Sequence, residues 1–197
     1  MFIEKLDNHL VMRPLGITDY DKGFPAILGQ LTEVGDVSKE QFEERFAQLR
    51  RTKNTYFVFV IEDITKQRII GAATLLVERK FLRNCGKCGH IEDVVVDSSY
   101  RGKQLGLRLV ELLKGVAKTL GCYKVVLNCS PKNIPFYEKC GFEKHEVQMA
   151  MYFPKQEVAE RASAAPSTST ALPTHIARYV EAQVVEPTSP SKHAARL

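Results

Sequence analysis

Arg101-Gly102-Lys103-Gln104-Leu105-Gly106 is the segment with the richest chemistry in the chain. It follows a β-branched run, Ile91-Glu92-Asp93-Val94-Val95-Val96-Asp97, and leads into a helix-spaced apolar stretch from Leu105 to Leu120. A helix start offers amide hydrogens without intrahelical partners and the positive end of the dipole, which together bind an anion. Glycine at 102 and 106 lets backbone approach phosphate oxygens without a β-carbon between them. Arg101 and Lys103 add positive charge. The Gly-Lys-Ser/Thr ending of a P-loop is missing, as is the GxGxxG dinucleotide spacing. The segment reads as a loop that holds a pyrophosphate.

Two further groups of residues have chemical character. Glu92 and Asp93 are acids inside an otherwise apolar strand. Adjacent strand residues face opposite sides, so the pair shares no face unless a bulge intervenes. The plainer alternative is one solvent-facing acid and one paired with a cation. Cys85 and Cys88 form a CxxC with His90 close by, but a structural zinc site needs a fourth ligand and none is evident. The expectation there is a surface turn bent at Gly86 and Gly89, with no metal. The chain has five cysteines and no secretory leader, so reduced thiols are expected.

Around these residues, the pattern predicts a strand from Leu10 to Arg13 stopped by Pro14, and a helix from Thr18 or Asp19 towards Leu31. Ser38 with Gln41 three residues on is a capping box for a helix carrying Phe42, Phe46 and Leu49. Tyr56–Glu62 and Arg68–Glu78 read as a hairpin, and His90–Asp97 as a central strand. The helix from Leu105 buries Leu105, Leu109, Leu112, Leu113, Val116 and Leu120 and ends at Gly121. Cys122–Cys129 is a strand, Asn133–Lys139 a short helix, and Phe142–Phe153 a final strand. The fold class is α/β (α+β), a largely antiparallel mixed sheet with one strand–loop–helix crossover.

A length of 197 residues suits one domain with a sizeable core. Residues 1–153 carry the domain. Residues 154–197 hold five of the nine prolines and none of the twelve glycines, and are expected to be a mostly disordered tail. No apolar stretch approaches the roughly 20 residues of a membrane span. The net charge of +5 is diffuse and tryptophan is absent, which favours an anionic small molecule over nucleic acid. The terminal Ala195-Arg196-Leu197 has the form of a peroxisomal import signal. It would engage an import receptor and place the chain in a peroxisome-type organelle such as a glycosome; the alternative is cytoplasmic.

Strand, Arg-x-x-x-x-Gly loop and helix resemble the acyl-CoA signature of the GNAT superfamily of N-acetyltransferases. Gln104 within the loop, Glu92-Asp93-Val94-Val95-Val96 before it and Asn133-Ile134-Pro135-Phe136-Tyr137-Glu138-Lys139-Cys140-Gly141-Phe142 after it resemble the glucosamine-6-phosphate N-acetyltransferase branch. Leu28-Gly29-Gln30-Leu31-Thr32-Glu33-Val34-Gly35 and Glu78-Arg79-Lys80-Phe81 also match, so the likeness covers residues 10–153.

The resemblance implies a GNAT fold whose central strands, 90–97 and 122–129, splay apart around acetyl-CoA, with no metal. Val94, Val95 and Val96 would meet the pantetheine arm, residues Arg101, Gly102, Lys103, Gln104, Leu105 and Gly106 the pyrophosphate, and Asn133 the cofactor. Tyr137 would donate a hydrogen bond to the departing thiolate. Glu92, Asp93 and Asn128 would orient the acceptor amine, and Thr32, Lys80, Phe81, Leu82 and Arg83 would bind the sugar phosphate. Two positions depart from the family. Asn128 stands where a carboxylate is usual, and asparagine cannot take a proton; Tyr152 stands where an arginine reaches the partner subunit. The reaction implied is direct acetyl transfer to the amine of glucosamine 6-phosphate, by a homodimer. Another amine acceptor, or a non-catalytic acyl-CoA-binding module, are the alternatives.

Overall fold

The computed structural model describes residues 3–153. The expected tail at 154–197 and its terminal tripeptide lie outside the described residues. A six-stranded sheet runs in chain order: β1 (Glu4–Lys5), β2 (Leu10–Pro14), β3 (Tyr56–Asp63), β4 (Arg68–Arg79), β5 (Lys87–Val96) and β6 (Cys122–Leu127). Every neighbouring pair is antiparallel except β5 and β6, which are parallel. A parallel pair needs a crossover, and α4 (Leu105–Thr119) supplies it. No helix among the described residues is long and apolar enough to cross a membrane.

The helix α4 buries Leu105, Leu109, Val110, Leu113 and Ala117 against Leu75, Val77 and Ile91 of β4 and β5. The buried stripe is turned slightly from the expected one, since Leu112, Val116 and Leu120 only pack at its edge. Each fully buried leucine contributes roughly 1.5–3 kcal/mol, so this contact fixes the start of α4 beside the end of β5. On the opposite face, Ile27 of α1 (Phe24–Leu28) packs on Val60, Ile69, Ala72 and Val95. The capping box forms as expected. Ser38 Oγ accepts from the Gln41 amide and Gln41 Oε1 from the Ser38 amide at the start of α2 (Lys39–Arg51).

Several expectations need correction. The helix expected towards Leu31 is a 3-10 turn at Ile17–Tyr20 followed by α1, because Gly23 at φ 80° breaks it. The CxxC is not a surface turn. The element α3 (Leu82–Cys85) is a single distorted turn with Arg83 and Asn84 at φ 57° and 54°, while Cys88 and Gly89 already lie buried in β5. Gly89 is needed for close packing rather than for a bend: a β-carbon there would stand 3.0 Å from Leu75 Cδ1 and 3.3 Å from Ala117 Cβ.

The final strand does not form within the described chain. Residues 143–148 carry no strand and are exposed, and so are 149–153, which belong to a separate unit starting at Met149. Alternation supplies strand propensity, but ladder hydrogen bonds require a neighbour. Among the described residues β6 pairs with β5 alone.

Candidate active site

Two strands part to make the site. The last paired residues of β5 and β6 are Ile91 and Leu127. Beyond them, Glu92 to Val96 keep β4 on one side only. The Asp97 amide donates to the Ile70 carbonyl at 2.8 Å. By the two-residue repeat of the ladder, the backbone groups of Val95 also face β4, and those of Val94 and Val96 face the gap. An amide arm laid in that gap would find the partners that β6 no longer provides.

A bulge sets the two acids. Thr74 pairs with Glu92 and Ala72 with Val95, so β5 holds one residue more than β4 across this interval. The extra residue is Asp93, at φ 54°. Before it, Ile91 points to the α4 core; after it, Val94 and Val96 do, while Val95 joins the opposite face. The bulge thus breaks the strict alternation at Asp93. Glu92 is half-buried and Asp93 exposed. Burial, then the neighbouring charge of Asp93, pushes the Glu92 carboxyl above the usual glutamate range, and His90 opposes the shift.

Tyr137 reaches the gap from the other side. It sits on α5 (Ile134–Lys139), behind a 3-10 turn at Pro131–Asn133. Its ring meets Phe136 edge-on at 4.9 Å and Phe142 at 6.2 Å. Lys114 Nζ of α4 donates to the Cys140 carbonyl at 2.6 Å and so ties down the end of α5. The phenol makes no hydrogen bond among the described residues. Burial, then the nearby Cys129, Cys140 and Glu92, pushes it up to about 12. It is therefore a proton donor at every physiological pH.

Val94, Val95, Val96, Arg101, Gly102, Gln104, Leu105, Gly106, Asn133 and Tyr137 line one cavity of about 1050 Å³. That volume is ample for an elongated carrier. Lys103 stands outside this lining, with its ammonium 5.4 Å above the Tyr100 ring. Gly102 at φ 84° and Gln104 at φ 57° turn the loop into α4. Tyr100 anchors the loop from below, its hydroxyl donating to buried Asp63 at 2.6 Å while Lys66 Nζ donates to it at 2.8 Å. Asp97 adds a second anchor, accepting from the Ser99 amide, the Arg68 guanidinium and Gln30.

Gly106 has a role beyond phosphate access. A β-carbon there would lie 3.2 Å from Phe136 Cζ and 3.8 Å from Val96 Cγ2. Gly106→Val forces apart the start of α4 and the helix bearing Tyr137. Overpacking of this kind costs roughly 1–3 kcal/mol. Calorimetry with coenzyme A is expected to show affinity lowered by about tenfold or more; unchanged affinity would show that α5 does not close the cavity.

The residues expected to bind the acceptor are gathered less completely. Asn128 is exposed just past the end of β6. Lys80 Nζ donates to Glu78 Oε1 at 2.7 Å. The Arg83 guanidinium lies 5.8 Å over the Tyr123 ring, while Phe81 and Leu82 are exposed. All four residues of the 80–83 turn sit at the start of β5. Thr32 instead follows α1, whose neighbour Gln30 bonds to Asp97 and Ser98 at the other end of β5. One chain does not bring Thr32 together with Lys80 and Arg83. Tyr152 is exposed in the 149–153 unit.

Sequence reasoning missed Lys132, Lys139, Gln30 and Ser130, which also line the cavity. The two lysines were detectable in principle, since they flank the Asn133–Tyr137 segment on either side.

Comparison with known proteins adds an independent finding. A model described as acetyltransferase (GNAT) family matches residues 24–142. The chain is similar to glucosamine 6-phosphate N-acetyltransferase 1 of Dictyostelium discoideum, at 52% identity over 149 residues, 76% of this chain and 94% of that one. It is also similar to the crystal structure of glucosamine-6-phosphate N-acetyltransferase from Arabidopsis thaliana, at 50% identity and TM-score 0.72, covering 74% of this chain and 99% of that one. A predicted acetyltransferase from Clostridium acetobutylicum, solved with acetyl-CoA, shares the fold at 17% identity and TM-score 0.58, covering 73% and 96%.

Proposed function

From the premise that this chain belongs to the GNAT acetyltransferase family, we propose that it transfers the acetyl group of acetyl-CoA to the 2-amine of D-glucosamine 6-phosphate. The observation that carries this reading is the cavity shared by Tyr137, Val94, Val96 and the start of α4, with Glu92 close enough to act on the Tyr137 phenol, in a chain half identical to enzymes named for that reaction. The products are N-acetyl-D-glucosamine 6-phosphate and coenzyme A.

The residues divide the work by chemistry. Amides at the start of α4, with Arg101 and Lys103, hold the pyrophosphate. The gap-facing groups of Val94 and Val96 align the pantetheine, which brings the thioester to the parting of the strands. The neutral amine attacks the carbonyl carbon, and the Val94 amide stabilises the charge that develops on its oxygen. Glu92 takes the amine proton, since Asn128 orients the amine but cannot accept it. As the tetrahedral intermediate collapses, the C–S bond breaks and Tyr137 donates its proton to the thiolate. No acyl-enzyme is formed and no metal takes part in this sequence.

The Lys80–Arg83 turn supplies the positive charge for the sugar phosphate, completed by a second copy of the chain. That homodimer is supported by the distance of Thr32 from Lys80 along β5 and by the exposed apolar residues Val147, Met149 and Met151.

A thiol-release assay tests the acceptor. Glucosamine 6-phosphate is expected to exceed unphosphorylated glucosamine in kcat/KM by at least about tenfold, the order of a single charge-assisted phosphate contact. Equal rates would remove the phosphate from the reading. Tight coenzyme A binding with no transfer to any amine would make the chain a binding module.

A further inference from the structure

We propose that Glu78, Cys88 and His90 form a divalent-metal site, suited by its ligand types to Zn2+, on the sheet face between the 80–86 turn and Glu92. The three side chains come from adjacent antiparallel strands whose register sets Glu78 opposite Cys88 and Leu76 opposite His90. Alternation then puts Cys88 and His90 on one face of β5. Their ligand atoms all lie within 4.8 Å of one another. Zinc bonds of about 2.0–2.3 Å in a tetrahedron place ligand atoms roughly 3.3–3.8 Å apart, so small side-chain adjustments suffice.

Each ligand is already oriented. His90 Nε2 and Glu78 Oε2 share a hydrogen bond of 2.9 Å, and a metal ion would replace the proton between them. Glu78 Oε1 accepts from Lys80 Nζ at 2.7 Å, the kind of outer bond that holds a metal-bound carboxylate in place. Cys88 is 1% exposed, with only the Gly89 carbonyl at 3.7 Å as a partner. Thiolate, carboxylate and Zn2+ sum to zero charge, so the loaded, partly buried site carries no net charge beside Lys80 and Lys124. Thiolate with imidazole selects zinc over magnesium or calcium, and three protein ligands leave one position open. The CxxC is not the chelating unit: Cys85 is exposed and stands outside the cluster.

Occupancy has a consequence for the acceptor. With Oε2 on a metal, Glu78 keeps Lys80 on Oε1 but gives up part of its negative charge, which changes the field at the sugar-phosphate turn. This second part rests on the proposed acceptor reading, whereas metal binding does not. Metal-free full-length protein titrated with Zn2+ against a chromophoric chelator is expected to bind one equivalent. With Co2+ it is expected to show a thiolate-to-cobalt charge-transfer band. Cys88→Ala and His90→Gln each weaken binding by about tenfold or more and Cys88→Ala abolishes the band, while Cys85→Ala leaves both unchanged. No stoichiometric binding, or binding that survives both Cys88→Ala and His90→Gln, overturns the site; so does equal loss in Cys85→Ala. Circular dichroism of each variant separates misfolding from ligand loss, and half-buried His90 gives the safer replacement. Added Zn2+ changes the KM for glucosamine 6-phosphate severalfold in the parent but not in Cys88→Ala. Bound zinc with unchanged KM overturns the link to Lys80 and leaves the metal site standing.

Discussion

Tyr137→Phe is expected to lower kcat by about 10²-fold or more while the KM for acetyl-CoA stays within about twofold, the signature of a lost transition-state proton donor. The ring still packs against Phe136 and Phe142, so binding surface is preserved and only the hydroxyl is removed. Because burial holds the phenol up to about 12, kcat of the parent shows no loss from Tyr137 ionisation until pH approaches that value. A solvated tyrosine would ionise nearer 10. Single-turnover kinetics with a thiol reporter measure the step directly. A rate within about threefold of the parent would remove Tyr137 from the chemistry, since general acids contribute far more than that.

Glu92→Gln is expected to reduce kcat by about 10²-fold and to change the shape of its pH profile. A base works only when ionised, and the Glu92 pKa is raised by burial and by Asp93. Activity therefore climbs as pH rises through a value above the ordinary glutamate range. The acceptor amine must also lose its proton. Below both values, log kcat of the parent climbs with a slope approaching two; in Glu92→Gln only the amine remains and the slope is one. A parent-like slope in the variant would assign proton removal to another group. Asp93→Asn is the natural control. Asp93 is exposed at the bulge, and removing its charge lets the Glu92 pKa fall, which moves the limb to lower pH.

The elements with strong local signals were legible in the sequence. The Ser38 capping box, the hairpin of β3 and β4 and the long α4 all depend on spacings of two to four residues. The bend of the 101–106 loop into α4 belongs with them, because a glycine-bearing helix start is a local object. The final strand at 142–153 was legible only as propensity, and no ladder forms there among the described residues. The same limit applies to the acceptor residues. Thr32 and Lys80 each match a family position, yet their separation along β5 is a property of the fold.

Residue types and short-range periodicity determined which segments of this protein are helices and strands, and which loop turns through Gly102 into the start of α4. These follow from dihedral preference and burial of one face, which act within a turn or two of chain. Tertiary structure alone decided that one extra residue enters β5 at Asp93, that Gly106 is shaped by Phe136, and that Glu78 meets Cys88 and His90. Each of these depends on the register between segments distant in sequence. Register is chosen by the collective packing of α4 on the sheet, not by any residue within the strand it aligns.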